Sequence, residues 1–263
     1  MSENIIINDD LFNLHKIIPE GTKFDLIIAD PPYGNVVNHK WDKIENINKN
    51  YKSYQAFTSK WLEYINKHFV KQETSLYVFC SLGEKSSSMP IIWQEAKSHF
   101  NFKDMIVWSK QRGRGNRKGW LFTREELLWF VKSKEFTWNK EHQYSTHKYH
   151  ESWIKRLGKE SNPYKRSTNV WTDIKERSIQ LSTIPKESRK NIHPTQKPVT
   201  LIERIIKSHF HEDMLVLDLF SGSGTTSVVC KLNNISSIGV EIDTNYYSLI
   251  NERMLLNRVC DKI

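Results

Sequence analysis

Two stretches of the chain hold residues whose types and order suit chemistry. In "IIADPPYGN", residues 27–35, an apolar β-branched run ends in Asp30, Pro31, Pro32 and Tyr33. Consecutive prolines before Tyr-Gly break regular structure, so at the least this is a strand-ending turn. Proline also fixes φ and supplies no amide N–H, which makes the turn a stiff rim carrying one carboxylate and one aromatic ring. In "VLDLFSGSGTT", residues 216–226, an apolar strand ends in Asp218, Phe220 to Gly224 form a loop, and a helix begins near Thr225. Glycine lets a ligand approach the backbone closely, and a helix N-terminus favours negative charge. The loop lacks the Gly-Lys-Ser/Thr ending of a nucleotide-triphosphate site, which argues against phosphoryl transfer. Glu241 closes the next strand, "SSIGVEID", 17 residues past Gly224. An acid there is placed to accept hydrogen bonds from ribose hydroxyls. Strand, glycine turn, helix, strand and acid together point to an adenosine-containing cofactor; a tight turn beside a surface acid is the alternative. Between the two stretches lies "IHPTQKP", residues 192–198, a helix-entry loop in which Lys197 can neutralise a carboxylate. His193 has no partner at metal-ligand spacing, so no metal site is expected.

The elements that must position these residues alternate. "NIIIN" and "FDLIIAD" read as strands with a short helix between them, and "YQAFTSKWLEYINKHF" repeats apolar residues at helical spacing. "SLYVFC", "FKDMIVWS" and "EELLWFVKS" read as strands, and "MPIIWQEAKSHF" as a helix. Near the C-terminus, helix, strand, helix, strand and helix follow from "TLIERIIKSHF" to "YYSLINERMLLN". Such alternation predicts a Rossmann-like α/β fold, a mostly parallel sheet with helices on both faces.

The chain has 263 residues, 38% of them hydrophobic, enough for one large α/β domain with an insertion. Its apolar runs all fall short of the roughly 18 residues of a membrane helix. "MSENIIINDD" has no signal-peptide pattern, which suggests a cytoplasmic protein. Cys80, Cys230 and Cys260 are scattered, and the first two sit in apolar patterns that suit buried free thiols. The net charge of +9 is confined to the middle: residues 101–190 hold 21 Lys and Arg against 10 Asp and Glu. The same segment holds six of the nine tryptophans. Basic residues interleaved with aromatics suit a polyanion whose bases can be stacked upon.

"DPPYG", "HPTQKP", "DLFSGSGTT" and "GVEID", in that order, resemble the motif set of the DNA amino-methyltransferases that use S-adenosylmethionine. Asp-Pro-Pro-Tyr ahead of the glycine loop resembles their β class, a circularly permuted arrangement. "NDDLF", "YVFC", "IVWSK", "REELLWFVKS" and "NVWTDI" extend the resemblance over almost the whole chain.

The resemblance implies transfer of a methyl group to an exocyclic amino group of a base flipped out of double-stranded DNA. Asp30 and the Pro31 carbonyl would each accept one amino hydrogen, with Pro32 stiffening the rim and Tyr33 stacking on the base. Phe220, Ser221, Gly222, Ser223, Gly224 and Thr225 would line the cofactor beside Asp218, and Glu241 would hold its ribose. Asp10 matches an acid near the adenine ring, although Asp9 replaces the glycine the family places before it. Lys197, with Thr195 and His193, would face the methionine carboxylate. Trp41 and Asp42 match a pair in the loop after the catalytic motif. Residues 1–109 would form the catalytic half, 191–263 the cofactor-binding half, and 110–190 a target-recognition region whose Arg112, Arg114, Arg117 and Lys118 would contact DNA, as would Trp41 outside it. Asp rather than Ser in the first motif favours N6 of adenine; N4 of cytosine, an RNA substrate and an inactive nucleic-acid-binding relative are the alternatives. A homodimer and a companion restriction endonuclease are compatible partners; a membrane is not expected.

Overall fold

Strand-forming and helix-forming runs alternate along the chain, and the computed structural model turns that alternation into helices layered on both faces of one large sheet. It describes residues 2–36, 40–83, 86–114, 118–139, 144–159, 163–176 and 195–255. The chain begins with β1 (Asn4–Ile7), α1 (Leu14–Ile17), β2 (Phe24–Ala29), α2 (Ile44–Tyr51), α3 (Tyr54–His68), β3 (Val70–Cys80) and α4 (Ser88–Ala96). β4 (Asn101–Arg114) and β5 (Phe122–Val131) follow, then a small lobe with β6 (Tyr144–Lys148), α5 (Glu151–Arg156) and β7 (Tyr164–Arg166). β8 (Val170–Trp171) rejoins the sheet before α6 (Val199–His209), β9 (Leu215–Asp218), α7 (Thr225–Leu232), β10 (Ser236–Val240) and α8 (Thr244–Leu255).

The sheet runs β1-β10-β9-β2-β3-β5-β4-β8. Its neighbours are parallel except at β5, which is antiparallel to both β3 and β4. Alternate residues of β3 serve opposite cores: Leu76, Val78 and Cys80 face one, Tyr77 and Phe79 the other. A sheet buried on both faces needs such near-continuous apolar strands. α3 is capped by Ser53, whose hydroxyl accepts the Ala56 N–H at 3.0 Å, and it buries Phe57, Trp61, Leu62 and Ile65. Cys80 and Cys230 are buried free thiols. Among the described residues no helix is long and apolar enough to cross a membrane.

Two features of the middle segment go beyond its sequence pattern. A boundary at residue 110 falls inside β4, and β5 lies centrally between β3 and β4, so the segment contributes to the sheet as well as to a lobe. Nor do most of its tryptophans face a ligand. Trp108, Trp129 and Trp171 are buried and Trp138 packs on them, while Trp120 and Trp153 are exposed. The large rings fill the sheet face under α6: Trp129 stacks between Tyr77 and Trp138 with centroids 5.4 and 4.8 Å away. His209 pins this cluster, its Nδ1 2.7 Å from the Thr137 carbonyl and its Nε2 3.0 Å from the Tyr77 hydroxyl. Burial lowers its pKa to about 4, so the ring is neutral, with Nδ1–H donating to the carbonyl and Nε2 accepting from the tyrosine.

Connections leave β2 toward β3 and leave β9 toward β10, in opposite directions across the sheet. The β2–β9 boundary is therefore a topological switch point, where an α/β sheet opens a crevice at its strand ends. Asp30, Asp218 and Glu241 all stand at that edge, just past or at the ends of β2, β9 and β10. Gly224 launches α7 with φ of 73°, and a Cβ on it would lie 2.5 Å from Ile250 Cγ2. Both constraints demand glycine. Gly224→Ala should cost about 2–4 kcal/mol of stability, measured by urea unfolding, from left-handed strain plus overpacking.

Candidate active site

The crevice is a cleft of about 530 Å³ running from the Asp30 turn to the ends of β9 and β10. Asp30, Pro31, Pro32 and Tyr33 line one end; Asp218, Phe220, Ser221, Gly222, Ser223, Thr225 and Glu241 line the other. Asp10, Trp41, Thr195 and Lys197 complete the wall, so nearly all the expected site residues within the described chain converge on one cavity. Gly224 is not on the wall itself but caps the start of α7 beside it. His193 and Arg117 lie outside the described residues.

The Asp30 turn is tied down from several elements. Asp42, itself buried, accepts the amide N–H groups of Tyr33 and Gly34 at 2.7 and 2.9 Å through one carboxylate oxygen. Its role is thus to anchor the turn, and Trp41 beside it is half-buried in the cleft wall. Tyr54 of α3 donates to the Pro32 carbonyl at 2.9 Å, and Ser86 donates to the Tyr33 carbonyl at 2.7 Å. Among the described residues nothing donates to the Pro31 carbonyl. The turn therefore keeps one backbone acceptor in reserve next to the Asp30 carboxylate.

That carboxylate belongs to a buried charge cluster. Lys197 Nζ is 2.6 Å from Asp30 Oδ2 and 2.8 Å from Glu125 Oε1, and Lys110 Nζ is 2.5 Å from Glu125 Oε2. The Tyr33 hydroxyl lies 2.7 Å from both Asp30 Oδ1 and Glu125 Oε1, with one proton for two acceptors. Burial raises the Asp30 pKa above its ordinary range; Lys197 opposes that rise and Glu125 adds to it. Burial would raise Glu125 too, but Lys197 and Lys110 hold it down to about 2. The Lys197 ammonium is therefore committed to two carboxylates in this structure, a placement its expected role toward a methionine carboxylate does not describe. Glu125 was not singled out from the sequence. Its signal is an acid at the start of an otherwise apolar, doubly covered strand.

The opposite end of the cleft suits an adenosine group. Glu241 accepts the Gly222 N–H at 2.7 Å through Oε2 and the Asp243 N–H at 2.8 Å through Oε1, which holds the carboxylate against the glycine loop. Arg253 of α8, buried and also unforeseen, donates to the Ser223 carbonyl from behind the loop. Asp9 explains its own replacement of glycine: its Oδ1 takes the Asp10 N–H at 2.6 Å and the Asn13 side chain at 2.8 Å, locking the turn that presents Asp10. Seven carboxyl side chains and two lysines line the cavity among the described residues. Such an acidic cleft within a basic chain suits a compact cationic ligand, and its volume lies in the roughly 300–1,000 Å³ span of small-molecule sites.

A mixed sheet with one reversed strand, and a glycine loop with a carboxylate held against it at the switch point, define a Rossmann-like architecture that suits a nucleoside cofactor. Residues 24–252 match the DNA methylase family of N6 and N4 methyltransferases. The type II methyltransferase M.HpaI of Haemophilus parainfluenzae is 32% identical over 97% of this chain and 74% of its own. The DNA adenine methyltransferase YhdJ of Escherichia coli is 30% identical over 94% of this chain and 81% of its own. The crystal structure of an M1.HpyAVI–SAM complex superposes with a TM-score of 0.61 at 23% identity, covering 95% of this chain and 98% of the other. The chain belongs to this DNA methylase family: it is a site-specific DNA methyltransferase, and S-adenosylmethionine is its methyl donor.

Burial pushes the carboxyl pKa values of Asp218 and Glu241 up to about 7 against their backbone and hydroxyl donors. Both gain negative charge as pH rises through neutrality, and a sulfonium cation binds the charged form better. Affinity for S-adenosylmethionine, measured by calorimetric titration, should tighten about tenfold between about pH 6 and about pH 8. S-adenosylhomocysteine, whose sulfur is neutral, should show a smaller change.

Proposed function

We propose that this enzyme methylates the exocyclic N6 of an adenine extruded from duplex DNA, with Asp30 and the Pro31 carbonyl as the two acceptors of its amino hydrogens. The observation that carries this reading is the pairing of a cleft-facing carboxylate with a backbone carbonyl that has no donor among the described residues. An aromatic amino group is a poor nucleophile because its lone pair is delocalised into the ring. Two acceptors in fixed positions draw on its two hydrogens and localise that pair toward the cofactor end of the cleft. When bound there, S-adenosylmethionine supplies a methyl group on a sulfonium leaving group, open to direct displacement. Much of the acceleration comes from holding both reactants in line. The proton lost from the methylated amine passes to Asp30, which needs little basicity because the amine is by then cationic.

Tyr33 is assigned to the face of the extruded base, its hydroxyl pinned by Asp30 and Glu125 so that the ring does not swing. Extrusion costs a few kcal/mol, and stacking returns about 1–3 kcal/mol per base. Glu241 is assigned to the ribose, Asp10 to the adenine edge of the donor, and Asp218, Phe220 to Thr225 and Thr195 to its remaining contacts. His193 and Trp41 retain their sequence-based assignments to donor and DNA. The Asp in the first motif and the adenine-specific relative support N6; cytosine N4 is the second reading, because the family spans both chemistries.

For the duplex, we assign the β4–β5 hairpin. β4 carries Arg112 and Arg114 near its end, with Arg114 paired to Phe122, and Lys118 and the almost fully exposed Trp120 stand just before β5. The hairpin leaves the sheet at the edge where the cleft opens. A cytoplasmic setting, a homodimer and a companion endonuclease fit a type II methyltransferase relative and remain part of the proposal.

Digesting methylated DNA to nucleosides and weighing them should give N6-methyladenine, and Asp30→Ala should lower its formation by about 10³-fold with donor binding retained. N4-methylcytosine as product would establish the second reading. Neutralising Arg112, Arg114 and Arg117 together should reduce the slope of log affinity against log salt by up to about 3. An unchanged slope in filter-binding assays would move the DNA path elsewhere.

A further inference from the structure

We infer that Lys197 and Glu125 are positioning residues for Asp30: together they form a buried counter-charge that keeps the acceptor carboxylate ionised and aimed into the cleft, rather than a contact to the methyl donor. This rests on the reading above, in which Asp30 accepts an amino hydrogen.

The geometry separates the residue that meets substrate from those that serve it. Asp30 keeps 20% of its side chain open, whereas Lys197 and Glu125 each keep 8%. An ammonium has three donors, and the three nearest acceptors of Lys197 all lie in this cluster: Asp30 Oδ2 at 2.6 Å, Glu125 Oε1 at 2.8 Å and the Tyr33 oxygen at 3.4 Å. The Phe79 ring lies under Nζ, its centroid 4.7 Å away, and keeps water from it. The Lys197 carbonyl meanwhile accepts the Thr225 hydroxyl at 3.3 Å, fastening this loop to the start of α7. The residue thus bridges the cofactor half and the Asp30 turn, while its charge is shared between that turn and Glu125 of β5.

Glu125 completes the balance. Two carboxylates and two ammoniums, Asp30 and Glu125 with Lys197 and Lys110, sum to zero, which suits a poorly solvated site. Sharing Lys197 with Glu125 also keeps its ammonium from collapsing wholly onto Asp30. Each carboxylate oxygen carries two lone pairs. Asp30 Oδ1, now accepting the Tyr33 hydroxyl, can therefore take an amino hydrogen while Lys197 stays on Oδ2. The other titratable groups that face Asp30 are Asp218 at the end of β9, Cys80 at the end of β3 and Tyr33 of its own turn; Lys110 of β4 reaches it only through Glu125.

The test uses the whole chain with Lys197→Gln, Glu125→Gln, the double variant, and Lys197→Arg as the charge-preserving control. Donor affinity is read by calorimetry and the rate by single-turnover methyl transfer to duplex DNA across pH. Without Lys197, burial and Glu125 both favour the protonated Asp30. The acid limb of the Lys197→Gln profile should therefore move up by about one pH unit or more, with donor affinity unchanged. Removing Glu125 as well relieves the like-charge repulsion, so the double variant should regain part of the shift, and Lys197→Arg should keep the wild-type limb. A large loss of donor affinity in Lys197→Gln with the acid limb unmoved would overturn the inference and return Lys197 to the methionine carboxylate. Additive losses in the double variant would overturn it too. If Lys197→Gln fails to fold, the comparison of Lys197→Arg with the double variant decides by the same limb. Active Asp30→Ala enzyme would instead defeat the underlying reading, whatever Lys197 does.

Discussion

A carboxylate that must remain charged inside a protein interior sets the terms for this enzyme. Desolvation drives Asp30 toward its neutral form, and a neutral acid there would offer its proton where the proposed reaction wants an acceptor. Lys197 opposes that drive, and Glu125 and Lys110 extend the pair into a cluster of two carboxylates and two ammoniums that stays neutral. Four residues from four separate places in the chain are thus bound by one electrostatic requirement. The Tyr33 hydroxyl, between the two acids, joins the ring proposed to stack on the base to the same requirement.

Meeting it needs strands that end together. β2 delivers Asp30, β5 delivers Glu125, and the loop before α6 delivers Lys197, all at one edge of the sheet. Because β5 runs opposite to its neighbours, the start of that strand, rather than its end, lies beside the parallel strands' carboxyl ends. The same reversal brings the end of β4 and the start of β5 to that edge, so the strand that supplies a buried acid starts beside the basic segment proposed for the duplex. The donor end is built by a different device: backbone N–H groups of the glycine loop fix Glu241, and Arg253 holds the loop from behind.

Much of this was legible in the residues. The strand and helix alternation, the two chemical stretches and Glu241 are local patterns, and local patterns survive translation into three dimensions. The tryptophans of the middle segment did not read correctly. Trp108, Trp129 and Trp171 sit among charges in sequence, but the fold buries their rings in the core, where Lys110, Lys103 and Arg204 pack over them. Glu125 was illegible for a related reason. Its partners Tyr33 and Lys197 lie 92 residues before it and 72 after it, and nothing in "FTREELLWFV" tells which of two adjacent acids faces them. Only the pleat separates Glu125, on Lys197, from Glu126, paired with Arg124. Lys197 was legible as a cation, but its loop touches both ends of the cleft, and nothing in "IHPTQKP" tells which end the ammonium faces.

The order of strands also dictates when the enzyme comes into being. β1 and β2 are made first, yet they are not neighbours; the gap between them is filled by β9 and β10, residues 215–240. A nascent chain therefore carries its catalytic turn on a strand that lacks one neighbour for most of its synthesis, an unpaired edge of the kind that invites wrong partners. The last strands act as a keystone. Until they slide into place, the turn has no cleft beside it, and an incomplete chain has no site at which to touch the genome's bases.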